Sequence, residues 1–110
     1  MKIVFNEVES KKFENFKGGE KHLETKMIFD ENNKIMKATL IPGASIGLHT
    51  HETSSEIIYI ISGHGVCICN GEKEELYEGD CHYCKKGEEH TLRNESDVDL
   101  IFFAVVPEHK

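Results

Sequence analysis

From His22 onward the chain is cut into short runs rich in Ile, Val, Phe, Tyr and Leu, each bounded by Gly, Asn, Asp or Glu, with no sustained helical periodicity. That rhythm predicts an antiparallel all-β domain. The expected strands are "HLETKMIF", "KIMKATLI", "SIGLHTH", "EIIYIISG", "GVCIC", "EKEEL", "GDCHYC", "EHTLRN" and "DVDLIFFAVV". Met36, Ala38 and Leu40 share one face of the second, which should point inward. Asn70-Gly71 tolerates positive φ at both central positions of a two-residue loop and marks a hairpin. About ten short strands at this spacing suggest a sandwich or a barrel. Only "ESKKFENFKGGEK" resists the pattern; it reads as a short helical turn or polar loop anchored by Phe13 and Phe16.

A chain of 110 residues has room for one domain, 1–110, around one core. Its N-terminus lacks the apolar run of a signal peptide, and no segment is long enough to span a bilayer, so the expected address is cytoplasmic. Cys67, Cys69, Cys81 and Cys84 are then expected as reduced thiols. A net charge of −7 repels phosphate backbones and anionic lipid, which argues against nucleic-acid and membrane partners. Residues 56–63 and 99–106 are apolar on both faces, more than one sheet face of a small monomer buries, so a homodimer is expected.

Residues two apart on a strand project to one side, so His49 and His51 present two imidazoles together. Glu56 follows after the polar turn "ETSS", where its carboxylate can face the pair. Two imidazoles and a carboxylate make part of a metal site, and a third imidazole has to come from a distant strand.

These residues resemble the cupin family. Gly43, His49, His51, Glu56 and Gly63 fill every fixed position of the first cupin motif, and Gly79, Gly87, His90 and Asn94 fall in register with the second. Lys85 stands where that motif has proline, which removes a fixed φ from the turn before His90. The resemblance covers residues 36–106. It implies a small β-barrel of jelly-roll (double-stranded β-helix) type, with His49, His51, Glu56 and His90 as metal ligands; His90 is selected over His22, His64 and His82 by the motif alone. Three imidazoles and one carboxylate suit one divalent transition metal, Mn, Fe, Co, Ni, Cu or Zn, rather than Mg or Ca. Open coordination positions would accept a small carboxylate, hydroxy acid or sugar acid.

The resemblance implies decarboxylation, isomerisation or dioxygenation, or a binding or sensor module without turnover; phosphosugar chemistry ranks lower because few basic residues point inward. No residue is singled out as catalytic. Cys67-x-Cys69 and Cys81-x-x-Cys84 invite a four-sulfur zinc reading, but a three-residue step puts Cys81 and Cys84 on opposite faces, so packing is the expected role. His64 is expected in an exposed turn and His22 at the barrel mouth or on the surface. Only one of His82 and Tyr83 can point inward, and Arg93 should face away from His90.

Overall fold

The computed structural model describes residues 1–109. Ten strands run in chain order: β1 Lys11–Glu14, β2 His22–Phe29, β3 Asn33–Leu40, β4 Ser45–Thr50, β5 Glu56–Ser62, β6 Gly65–Cys69, β7 Glu72–Leu76, β8 Cys81–Cys84, β9 Glu89–Arg93 and β10 Leu100–Pro107. They form a six-stranded sheet, β1-β2-β3-β10-β5-β8, and a four-stranded sheet, β4-β9-β6-β7, with every pair antiparallel. Nine of the ten strands coincide with the expected runs to within a few residues at their ends. The tenth, β1, lies in the segment read as a turn or loop. Its sequence, "KKFE", has a single apolar residue, and its extended form is imposed by pairing with β2. A 3-10 turn at Phe16–Gly18 follows, so the helical-turn reading holds for the second half of that segment.

Alternation decides what is inside. On β3 and β10, Met36, Ala38 and Leu40 lie beside Ala104, Phe102 and Leu100, and all six are buried. Leu23 of β2, Ile58 and Ile60 of β5, and Ile46, Cys67 and Leu92 of the other sheet complete a core shared by the two inner faces. The outer face of β5 leaves Ile57, Tyr59 and Ile61 exposed, so the apolar surplus noted in the sequence is on the surface.

Two turns hold the motif loops in place. Asn70 and Gly71 have φ of 49° and 82° and close the β6–β7 hairpin, as the Asn-Gly pair predicts. Before His90, Gly87 (φ 88°) sits in a turn where Glu88 N–H donates to the Lys85 carbonyl at 3.0 Å. The Lys85 N–H, which a proline would lack, donates to Glu88 Oε1 at 2.7 Å and supplies restraint in place of the fixed ring. Asn94, buried at the far end of β9, donates from Nδ2 to the Leu40 and Val98 carbonyls at 2.8 and 2.7 Å and ties the β9–β10 loop to β3.

Candidate metal centre

Strand β4 carries the irregularity that builds the site. Ile46 pairs with Leu92 and His49 with His90, so three steps on β4 match two on β9 and a bulge lies at Gly47–Leu48. The extra residue reverses the alternation: Ile46 points in, Leu48 is 59% exposed, and the inward phase resumes at His49 and His51. Thr91 donates its hydroxyl to the Ile46 carbonyl at the bulge. Gly47 is required there, because a Cβ on it would meet the Lys17 carbonyl oxygen at 2.0 Å.

His49, His51, Glu56 and His90 converge, with one donor atom from each within 4.8 Å of the others. His51 Nε2 lies 3.2 Å from His49 Nε2, 3.1 Å from His90 Nε2 and 3.1 Å from Glu56 Oε1, and His90 Nε2 is 2.9 Å from the same carboxylate oxygen. His51, Glu56 and His90 are buried and His49 is half-buried.

The ring nitrogens facing away from the cluster are also occupied. His49 Nδ1 donates to the Gly47 carbonyl at 2.7 Å, and His51 Nδ1 pairs with Ser54 Oγ at 2.8 Å. His90 Nδ1 lies 3.0 Å from His82 Nε2, and His82 Nδ1 lies 2.7 Å from Glu74 Oε1. A carboxylate only accepts, so a neutral His82 carries its proton on Nδ1 and accepts from His90 Nδ1–H through Nε2. That leaves the His90 Nε2 lone pair aimed at His51 and Glu56. Nitrogen lone pairs and a carboxylate this close require a positive charge between them, either a proton or a metal cation. The donor set, three imidazole nitrogens and one carboxylate oxygen with the outer nitrogens anchored, fits a transition metal.

Burial lowers the His49 imidazole below its ordinary 6.5, opposed by the hydrogen bond to Gly47. Burial would raise the Glu56 carboxyl, but its polar contacts with the His51 and His90 imidazoles outweigh it and bring it down to about 2. Both shifts make the metal-free chain sensitive to acid. The unfolded chain takes up a proton at His49 near 6.5 before the folded chain does, so stability is lost as the pH falls below that value. The contribution of Glu56, complete above 4.5, is lost as the pH falls through about 2. The urea midpoint of metal-free protein should therefore drop between about pH 7 and pH 5, and His49→Asn should remove that drop. A wild-type midpoint flat across the interval would contradict the assignment.

The cluster borders a cavity of about 490 Å³. Its walls include Phe13 and Phe16 from the N-terminal segment, Leu23, Thr25 and Met27 from β2, and Phe102 and Val106 from β10; Lys17, Lys34 and Glu52 add charge. The phenylalanine rings, 5.6 Å apart, are thus cavity wall as well as anchors. The Thr25 hydroxyl is buried in this wall without a hydrogen-bond partner, a feature that a threonine in a strand does not announce.

The other candidates fall elsewhere. Neither His22, His64 nor Arg93 lines the cavity. His64 stacks on Tyr77 at 4.6 Å and pairs with Glu75, while Arg93 lies 3.5 Å from Glu95. Of His82 and Tyr83, His82 points inward and is 2% exposed. Its place behind His90 is the functional contact that alternation alone missed. Cys81 is exposed and Cys84 buried, so the four sulfurs do not converge on one ion.

Known proteins agree with this architecture. A family model described as "Cupin domain" matches residues 36–106. The "Oxalate-binding protein" of Thermotoga maritima is 33% identical over 112 residues, spanning 96% of this chain and 93% of that one. The tetracenomycin polyketide synthase protein TcmJ of Streptomyces glaucescens is 30% identical over 69 residues, 62% of this chain and 46% of that one. Among solved structures, a predicted oxalate decarboxylase from Thermotoga maritima superposes with a TM-score of 0.92 at 31% identity, covering 98% of this chain and 99% of its own. KdgF from Halomonas sp. shares the fold alone, with a TM-score of 0.77 at 18% identity and coverage of 97% and 93%. With the family model spanning the segment that contains all four clustered residues, this chain belongs to the cupin family.

Proposed function

We propose that His49, His51, Glu56 and His90 hold one divalent transition metal, and that the cavity beside it binds a small chelating carboxylate of which oxalate is the simplest case. The observation that carries this reading is the convergence of three Nε2 atoms and one carboxylate oxygen at the edge of the cavity. A cation bound there supplies Lewis-acid polarisation of a coordinated carboxylate. The protein's own part is to bind and orient. The apolar wall of Phe13, Phe16, Leu23, Met27 and Phe102 limits water, while Lys17 and Lys34 offer positive charge to a second carboxylate. The unpartnered Thr25 hydroxyl is a donor waiting for a polar ligand atom. The oxalate-binding relative supports the choice of ligand class.

Turnover is a second reading, favoured by Glu52, the one carboxyl besides Glu56 among the cavity-lining residues. A decarboxylation must return a proton to the carbon that loses CO₂, and Glu52 is placed to carry one. Calorimetry on metal-loaded protein should show oxalate binding that disappears after metal removal. Product assays on the same sample separate the readings: a binder leaves oxalate intact, whereas an enzyme releases formate and CO₂ and loses that activity in Glu52→Gln while retaining affinity. Equal oxalate affinity with and without metal would remove the chelation model.

A further inference from the structure

Beside the first cluster lies a second one that the proposed function does not use. Cys69 of β6 and His82 and Cys84 of β8 bring two sulfurs and a ring nitrogen within 4.8 Å of one another. The registers explain their position. Cys69 is the cross-strand partner of His90 on the four-stranded sheet, and Cys84 is the partner of Glu56 on the six-stranded sheet. Paired residues share a face, so each sulfur is carried into the interior next to one residue of the first cluster. His82 and Cys84 are two apart on β8 and project together. None of the three lines the cavity.

We propose that Cys69, Cys84 and His82 form a second metal site, selective for a thiophilic cation and best suited to Zn²⁺. Two thiolates and an imidazole are soft and borderline donors, unlike the nitrogen-rich first set. Zn²⁺ with two thiolates is electrically neutral, which a buried site favours. Three protein ligands leave the fourth tetrahedral position to water, and Cys69, only half-buried, gives the ion a route in. In the empty site Cys84 Sγ donates to the Glu88 carbonyl at 3.7 Å, and burial raises both thiols, Cys84 to about 12. They are thus held as thiols rather than as free nucleophiles. Binding breaks the two S–H bonds, forms two Zn–S bonds and releases both protons to solvent.

His82 joins the two sites. Its Nε2 serves His90 and its Nδ1 serves Glu74, so a cation on either nitrogen displaces one of those bonds. If Zn²⁺ takes Nε2, the contact with His90 is lost. If it takes Nδ1, the ring proton moves to Nε2 and points at His90 Nδ1, which then cannot carry the proton that frees His90 Nε2. Either way, filling the thiol site weakens the first site, and by linkage the reverse also holds.

The test uses full-length reduced protein and Zn²⁺ itself. In a His49→Ala/His51→Ala background, where the first site is disabled, about one Zn²⁺ per chain should remain, with Zn–S distances of about 2.3 Å by X-ray absorption. Adding Cys69→Ser/Cys84→Ser should abolish it. In wild-type protein, which avoids any folding defect of the variants, Co²⁺ titration should develop a thiolate charge-transfer band, and Zn²⁺ pre-bound at the sulfurs should weaken the first site on the order of tenfold. Zinc with only nitrogen and oxygen neighbours, or a Co²⁺ titration without the thiolate band, would overturn the proposal. Either result leaves the first site untouched, since that site is judged by loss of metal in His51→Ala.

Discussion

Replacing His51 by alanine is expected to abolish tight metal binding at the first cluster. His51 is the hub, with its Nε2 within 3.2 Å of His49 and 3.1 Å of both His90 and Glu56. Losing a group that only orients a ligand lowers metal affinity by about 10–100-fold, and removal of the ligand itself should exceed that. The substitution also removes one of the two imidazoles packed against a carboxylate that is 7% exposed, so the metal-free variant should be less stable as well. Dialysed wild-type protein should carry about one metal ion at this site, and His51→Ala less than about a tenth of that under chelator competition. His22→Ala, changed outside the cluster, should match wild type. Equal first-site affinity in His51→Ala and wild type would show that the ion is held elsewhere.

The largest stability effect should come from Phe102→Ala, at about 3–5 kcal/mol. Phe102 has no exposed surface and sits between Ala38 of β3 and Ile60 of β5 in the register. Its neighbours are fixed in strands of one sheet and cannot close over the space left behind, so the lost contacts persist as a void. Because the ring also lines the cavity, the void should open toward the ligand side and weaken carboxylate affinity along with the fold. Urea unfolding gives the first quantity and calorimetry the second. A cost below about 1 kcal/mol would mean that the two sheets collapse around the missing ring.

What the sequence discloses follows from what each signal depends on. Strand identity was legible wherever alternation or a continuous apolar run was present, as in β3 and β5, because burial of one or both faces writes itself into composition. The Asn70-Gly71 hairpin was legible because positive φ restricts residue choice locally. Strand β1 was not, since its backbone hydrogen bonds with β2, rather than its side chains, make it a strand. The bulge at Gly47–Leu48 was hidden for a related reason: Leu48 reads as core until the register with β9 turns it outward. His49, His51 and Glu56 could be grouped by same-face spacing and a short turn. His90 lies 39 residues beyond His51 and was reachable only through the family motif. His82 escaped because alternation says that one of His82 and Tyr83 is inside without saying which, and the choice is made by its partners His90 and Glu74 in three dimensions.

The N-terminal segment reaches the cavity from outside the part of the chain that carries the clustered donors. Phe13, Phe16 and Lys17 form cavity wall, yet they lie before residue 36, where the family match begins, and all four clustered donors lie after it. Part of the wall around the cavity therefore lies on a stretch of chain separate from the residues that would grip an ion. The two stretches meet where Gly19 and Gly47 let backbones touch, since a Cβ on either would lie 2.0 Å from a carbonyl oxygen of the other side. Under the proposed function, substitutions at Phe13, Phe16 and Lys17 would retune ligand choice while the donors stay as they are, provided those two glycines are kept. Under the proposed function, exchanging this segment between cupins would change the cavity wall and leave the four clustered donors in place.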